Sequence, residues 1–485
     1  MTSASATPTP VVSRKLMGTT TLAFMVVAMA SPIGVVVGTA PLIIGLGNGV
    51  GAPGAFLLVG VVLIVFAFGF AAIAKALPSA GGFFGFIRAG LGPRAGLAAG
   101  FVAGTGYATI SVFVAALLAY YCNSFFAAQL GVNVDWFVWA AVLVAAVAAL
   151  AYFGVKESAR VTFALLIIEF VMLSILGIAV LFQRGPAAFP LASFSPTEVF
   201  SGSPGFALAL AFLCFVGFEV TAVFTRHVRD PEKTIGRATM AGIVILVVVF
   251  SLGTWATIAG LGTQRVLEIA QGPDVGQLVP IVASATVGDW MGFLFNVFII
   301  TSLIATLIAV FNTTAQYWHR LAGELAPTGF LARSQPKHGS PANAGMALAI
   351  LICAVLLLCR IAGLDPLVQV AALLGNLGAV AVFGLEIACA IAIFVYFRRI
   401  GDRRVWTTTL SPVIAALSLT VFLVLVLSNY PSLIGNSSPV AVGSPLLFVV
   451  VAAAGWILGG REGLSNGDAA QAGSAGAGDA TSAPR

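Results

Sequence analysis

Apolar residues run through this chain in blocks longer than a strand or a surface helix carries, among them 55–74, 141–153, 161–182, 241–261 and 368–397. A helix crosses the hydrocarbon core of a bilayer with about 20 such residues. The blocks predict about twelve membrane-spanning helices, at 17–46, 53–76, 95–125, 136–155, 158–182, 203–225, 234–261, 285–318, 343–361, 366–397, 407–430 and 439–459. The expected class is an all-α integral membrane protein.

Composition strengthens that reading. Of 485 residues 60% are hydrophobic and 8% charged, against roughly a quarter charged in soluble domains. Too few charges remain to cover a water-facing surface. Cytoplasmic loops retain Lys and Arg. With twelve spans and the amino terminus inside, 20 of the 23 basic residues fall on the cytoplasmic side, and Arg184, Arg265 and Arg360 fall outside. The expectation is a multi-pass protein of the cytoplasmic membrane with both termini in the cytoplasm. This retention accounts for the net charge of +6, so no nucleic-acid partner is needed. Residues 1–16 and 461–485 read as disordered cytoplasmic tails. The start lacks the charged head and short apolar core of a removable signal peptide. Arg outnumbers Lys 18 to 5, which together with abundant Ala, Gly and Val points to a bacterial host.

Several motifs are set aside. Gly49-Val50-Gly51-Ala52-Pro53-Gly54 fits the dinucleotide glycine pattern but joins two membrane helices rather than a strand and a helix, so it reads as a turn. Asn436-Ser437-Ser438 fits a glycosylation acceptor that a bacterial host would not use. Cys122, Cys214, Cys353, Cys359 and Cys389 lack metal-ligand spacing, and His227, His319 and His338 are too spread for a metal site. Neither a metal nor a cofactor is expected.

Function is read from interruptions in the hydrophobic pattern. The first span carries Ser31-Pro32-Ile33-Gly34-Val35-Val36-Val37-Gly38 at mid-membrane, where proline removes a backbone donor and clashes with the preceding turn. The sixth carries Cys214-Phe215-Val216-Gly217-Phe218-Glu219. Irregular backbone at membrane depth persists only where protein or a water-filled cavity satisfies it. Either break alone fits an ordinary kink with a packing glycine. Together, with five helices between their starts and opposite orientations, they point to an inverted-repeat transporter. The division expected is a first five-helix repeat at 17–182, a second at 203–397, and two further helices within 407–460.

Four stretches resemble the amino acid permeases of the amino acid-polyamine-organocation superfamily. They are Ser31-Pro32 to Gly38 running into Pro41; Ala80-Gly81-Gly82-Phe83 to Gly92-Pro93; Phe215 to Glu219 leading to Arg229-Asp230-Pro231; and Asn312-Thr313-Thr314 to Arg320, followed by Pro341-Ala342-Asn343. The chain departs from relatives at Arg226 and His227, where acidic residues are usual, at Gly236 in place of a proline, and at Glu169, close to where some proton-coupled members carry lysine. What the resemblance implies is a LeuT-like 5+5 inverted repeat with helices 1 and 6 broken, and an amino acid or related amine lying between the breaks. Amides around Gly34, Val35 and Val36 would receive its carboxylate at a half-helix start. Carbonyls near Ser31, Cys214 and Phe215 would accept its ammonium. Phe212, Leu213 and Val216 would meet its side chain, pointing to a neutral, apolar substrate. Pro32 and Gly217 complete the implied binding set.

Three carboxylates, Glu169, Glu219 and Glu386, sit inside predicted helices, at about 2.5–3.5 kcal/mol each near the bilayer centre. A proton or cation relay and a carboxyl hydrogen-bonded to neighbouring helices are both open. Asn312 and Asn376 are further candidates for the pathway, though interhelical hydrogen bonding accounts for them equally well. The function expected is secondary active transport of a neutral amino acid, by a monomer or homodimer, coupled to protons, sodium or exchange. The alternatives are a polyamine or cationic amino acid antiporter and an ion channel. A membrane-embedded enzyme would need clustered His or acidic ligands, which the sequence does not offer.

Overall fold

A computed structural model describes residues 18–78, 82–132, 134–153, 159–219, 221, 231–335, 339–428, 430 and 442–460. Both predicted tails lie outside the described residues, as do Ala80, Gly81, Lys156, Arg226, His227, Arg229, Asp230, Lys337, His338 and Asn436 to Ser438.

Among the described residues every regular element is helical. In chain order they are α1 (Thr19–Ala30), α2 (Gly34–Thr39 continuing through Ala40–Leu42 to Ile43–Asn48), α3 (Ala52–Ala76), α4 (Phe83–Leu91), α5 (Pro93–Leu130), α6 (Trp136–Tyr152) and α7 (Ala159–Arg184). There follow α8 (Pro204–Leu213), α9 (Pro231–Leu261), α10 (Thr263–Ala270), α11 (Leu278–Thr286), α12 (Asp289–Leu325), α13 (Ala342–Ile361), α14 (Ala372–Arg399), α15 (Ser411–Ser428) and α16 (Leu446–Gly460).

Among the described residues, eight helical stretches are long and apolar enough to cross a membrane. The protein is a multi-pass membrane protein. The longest stretch, Thr19–Ala76, has 58 residues, and its backbone leaves helical geometry at Gly47. Three shorter apolar helices, α6, α8 and α16, fall where further spans are predicted, while Val275–Thr286 lies almost wholly between the predicted spans 234–261 and 285–318. The long helices α5 and α12, of 38 and 37 residues, also outrun their predicted blocks. α12 does so at its carboxyl end, where His319, Arg320 and Glu324 interrupt the apolar run.

Close packing depends on small residues, as expected where lipid supplies no hydrophobic force between helices. Along the α5–α14 seam, a Cβ on Gly378 would lie 2.7 Å from Ile110, and one on Gly375 would lie 2.8 Å from Leu210 of α8. The α14 backbone thus lies directly against side chains of both neighbours. The seam holds Asn376 and Glu386 inside the bundle, where Asn376 is 0% and Glu386 1% exposed.

Candidate substrate cavity between two broken helices

The first break follows from local chemistry. Pro32 disfavours α geometry at the residue before it, and Ser31 adopts φ 54° and ψ 79°, the one non-glycine left-handed conformation among the described residues. Such a conformation costs about 1–3 kcal/mol and persists where the surroundings fix it. Here a side-chain chain fixes it. Ser302 of α12 donates its hydroxyl to Glu169 Oε1 at 2.6 Å. A serine carries one hydroxyl proton, so the 2.6 Å contact between Ser31 Oγ and Ser302 Oγ has Ser31 donating. Pro32 has no N–H. The first donor of the second half is therefore Ile33 N–H, which donates to Glu169 Oε2 at 3.1 Å.

Glu169, on α7 and 5% exposed, thus caps the start of the second half-helix. The sequence places that role with a substrate carboxylate at Gly34, Val35 and Val36. In the structure Val35 N–H donates back to Ser31 O at 2.9 Å, and both the Val35 amide and the Ser31 carbonyl already have a partner inside the chain.

The second break is a turn rather than a left-handed stop. α8 ends at Leu213, and the chain tightens as Phe215 N–H donates to Phe212 O at 3.0 Å and Val216 N–H to Leu213 O at 3.1 Å. Gly217 then takes φ 121°, a conformation suited to glycine. A Cβ there would stand 3.3 Å from that of Met29 on the last turn of α1, so the two breaks touch. Gly217 N–H donates to Glu219 Oε2 at 2.8 Å, and Tyr107 of α5 donates its hydroxyl to Glu219 Oε1. Tyr107 stacks on Tyr317 of α12 with centroids 5.4 Å apart. Thr39 of α2 and Cys214 border the same space between the breaks.

A cavity lies between the breaks. Ser31, Gly34, Val35, Leu213, Cys214, Val216 and Gly217 line it. Of the predicted binding set, Phe212 is instead stacked on Phe383 of α14 at 3.9 Å and Phe215 packs on Phe250 of α9 at 5.3 Å. Val36 is buried against Gly253 of α9, and Pro32 is buried outside the lining. The other walls come from α5 and α12, Tyr107, Ile110, Val114 and Leu117 from one and Leu303, Thr306, Val310 and Thr313 from the other, and of these the sequence had marked Thr313 alone, within the Asn312-Thr313-Thr314 stretch. Both stripes run at spacings of 3, 4 and 3 residues, the period of one helix face. That signal was in the sequence, hidden because every face of these helices is apolar.

The remaining candidates do not reach the lining. Asn312 is half-buried beside Thr313. Asn376 donates Nδ2 to Ala372 O at 2.7 Å, and its Oδ1 finds no partner among the described residues. Glu386 Oε2 likewise has none among the described residues. No group of three His, Cys, Asp or Glu able to hold a metal occurs among the described residues.

The sequence profile of the amino acid permease family matches residues 17–457, nearly the whole chain. The chain belongs to the amino acid permease family. The permease is 22% identical over 201 residues to the branched-chain amino acid permease BcaP of Bacillus subtilis, covering 41% of each chain. It is 26% identical over 242 residues to an uncharacterized transporter of Mycobacterium tuberculosis, covering 47% of this chain and 52% of that one. An uncharacterized transporter of Mycobacterium bovis matches to the same extent. The permease spans about half the length of the relatives it matches.

Proposed function

We propose that the permease is a secondary transporter that takes up a neutral, apolar amino acid by alternating access, binding it in the cavity between the two breaks. The observation that carries this reading is that residues of both interrupted helices, Ser31, Gly34 and Val35 on one side and Leu213, Cys214, Val216 and Gly217 on the other, face one cavity. Its remaining walls are largely apolar, with Ile110, Val114, Leu117, Leu303 and Val310 among them. A branched aliphatic side chain suits them, and the printed name of the Bacillus relative agrees. Two five-helix repeats of opposite orientation, with α1–α2 and α8 in equivalent places, are the architecture this mechanism uses.

Coupling runs through Glu169. Its carboxylate occupies the half-helix start, a place that favours any anion. The substrate carboxylate and Glu169 then compete for one positive end. A proton taken up by Glu169 removes its negative charge, loosens its hold on Ile33 N–H, and leaves that end to the substrate. Uptake is therefore driven by a proton gradient directed inward, with one proton entering per substrate.

Uptake of radiolabelled leucine into proteoliposomes holding the full chain tests both parts. The reading expects accumulation under an acid-outside gradient, no requirement for sodium, and a Glu169→Gln variant that exchanges leucine at equilibrium but no longer concentrates it. Gradient-driven accumulation by Glu169→Gln equal to that of the unaltered protein would remove the coupling role. Failure to move any amino acid in either mode would remove the transport reading.

A further inference from the structure

A second hollow lies outside the transport site, between α7 and α9. Gly177 of α7 and Gly253 of α9 form its floor, while Ile178, Leu181 and Leu252 stand exposed along its walls. Helix pairs elsewhere in the bundle close such gaps, as Gly60 of α3 does against Val247. Here a Cβ on Gly177 would meet nothing nearer than Ala256 at 4.0 Å. The gap is lined along α7 from Phe170 to Leu181, about 16 Å at 1.5 Å per residue. That is close to half of a hydrocarbon core of about 30 Å, so the slot has the depth of one leaflet.

Its two ends differ in chemistry. At the end beyond Leu181, Arg184 reaches from α7 to α9 and donates Nε to Gly260 O at 2.9 Å. The Arg184 side chain is exposed, and no carboxylate among the described residues pairs with it. Beside this end Trp255 donates its indole N–H to Pro190 O at 3.0 Å, a placement usual for aromatic residues at the membrane–water boundary. The slot is apolar over one leaflet's depth and cationic at its mouth.

We propose that this groove binds an anionic phospholipid, one acyl chain lying between α7 and α9 and the phosphate meeting the Arg184 guanidinium. Charge complementarity selects the headgroup and groove length selects the chain. A second copy of the protein would bury the exposed Arg184 without supplying a known counter-charge.

The test is native mass spectrometry of the full chain released from detergent after incubation with equal amounts of phosphatidylglycerol and phosphatidylcholine. The unaltered protein is expected to retain one phosphatidylglycerol in preference to phosphatidylcholine. Gly177→Trp, which fills the slot, is expected to lose the adduct. Arg184→Gln is expected to keep a lipid but to lose about fivefold of its preference for phosphatidylglycerol, the factor carried by one basic side chain near an anionic surface. Ser174→Phe fills the same wall and serves if Gly177→Trp does not fold. Equal retention of the two lipids by the unaltered protein would overturn the proposal, as would adducts unchanged in the filled variants. A lipid-free dimer that dissociates on Gly177→Trp would assign the groove to a second copy instead. None of these readouts depends on transport.

Discussion

The two breaks solve the same problem in different ways. Each exposes backbone amides at membrane depth, and each has a buried carboxylate taking one of them. At the second break the carboxylate is local, since Glu219 accepts from Gly217 two positions away. At the first it is remote, since Glu169 comes from 136 positions away and is tied to α12 through Ser302. A local cap moves with its own turn. A remote cap depends on how α7, α12 and the α1–α2 pair sit relative to one another, so under the proposed mechanism the first break is the one whose backbone a shift between them would release.

Substitutions at the two breaks sharpen or break this contrast. The largest effect is expected from Glu169→Ala, which strands the Ile33 amide and the Ser302 hydroxyl: gradient-driven uptake falls to background while stability drops by about 1–3 kcal/mol. Uptake in proteoliposomes and thermal unfolding in detergent measure the two. Gly217→Ala forces a side chain into φ 121° against Met29, which costs about 1–3 kcal/mol. Here uptake and stability fall together, because the second cap is part of the fold. If Gly217→Ala instead spared stability and abolished uptake, the contrast between the breaks would collapse.

Tyr107→Phe comes next. It removes the α5 donor to Glu219 Oε1 and keeps the ring stacked on Tyr317, so a loss of about 1–3 kcal/mol is expected from the buried acceptor left unmet, with weaker leucine binding because Tyr107 also lines the cavity. Asp402→Asn, remote from both breaks, is the smallest. Hydrogen bonds from Arg404, side chain first and then backbone, hold the Asp402 carboxyl down at about 2. The pair's contribution is present above the ordinary carboxylate range near 4 and is lost as pH falls toward 2. For an exposed pair it is within about 1 kcal/mol, so urea titrations of variant and parent should nearly coincide at pH 7 and converge further below pH 3.

What the sequence made legible is whatever proline and glycine chemistry writes locally. The two breaks could be placed within the stretches Ser31 to Gly38 and Cys214 to Glu219, because a missing donor and a positive φ leave marks in the amino-acid type. The partners could not. That Glu169 would cap Ile33 rather than line a separate relay depends on how α7 packs, and no periodicity in 161–182 encodes it. The α5 and α12 walls were lost for a related reason, since a helix apolar all round does not announce which face it turns inward. Phe212 and Phe215, adjacent to the second break in sequence, point away from the cavity into α14 and α9, because consecutive helical residues face different directions.

Equilibrium binding of radiolabelled leucine to the purified chain tests whether the substrate sits between the two breaks. Val114→Trp is the informative variant, because Val114 faces the cavity from α5 and touches neither cap. Saturable binding by the unaltered protein and its loss in Val114→Trp are expected, with the elution profile and thermal midpoint retained. Undiminished leucine binding by a folded Val114→Trp protein would place the substrate elsewhere and contradict the account.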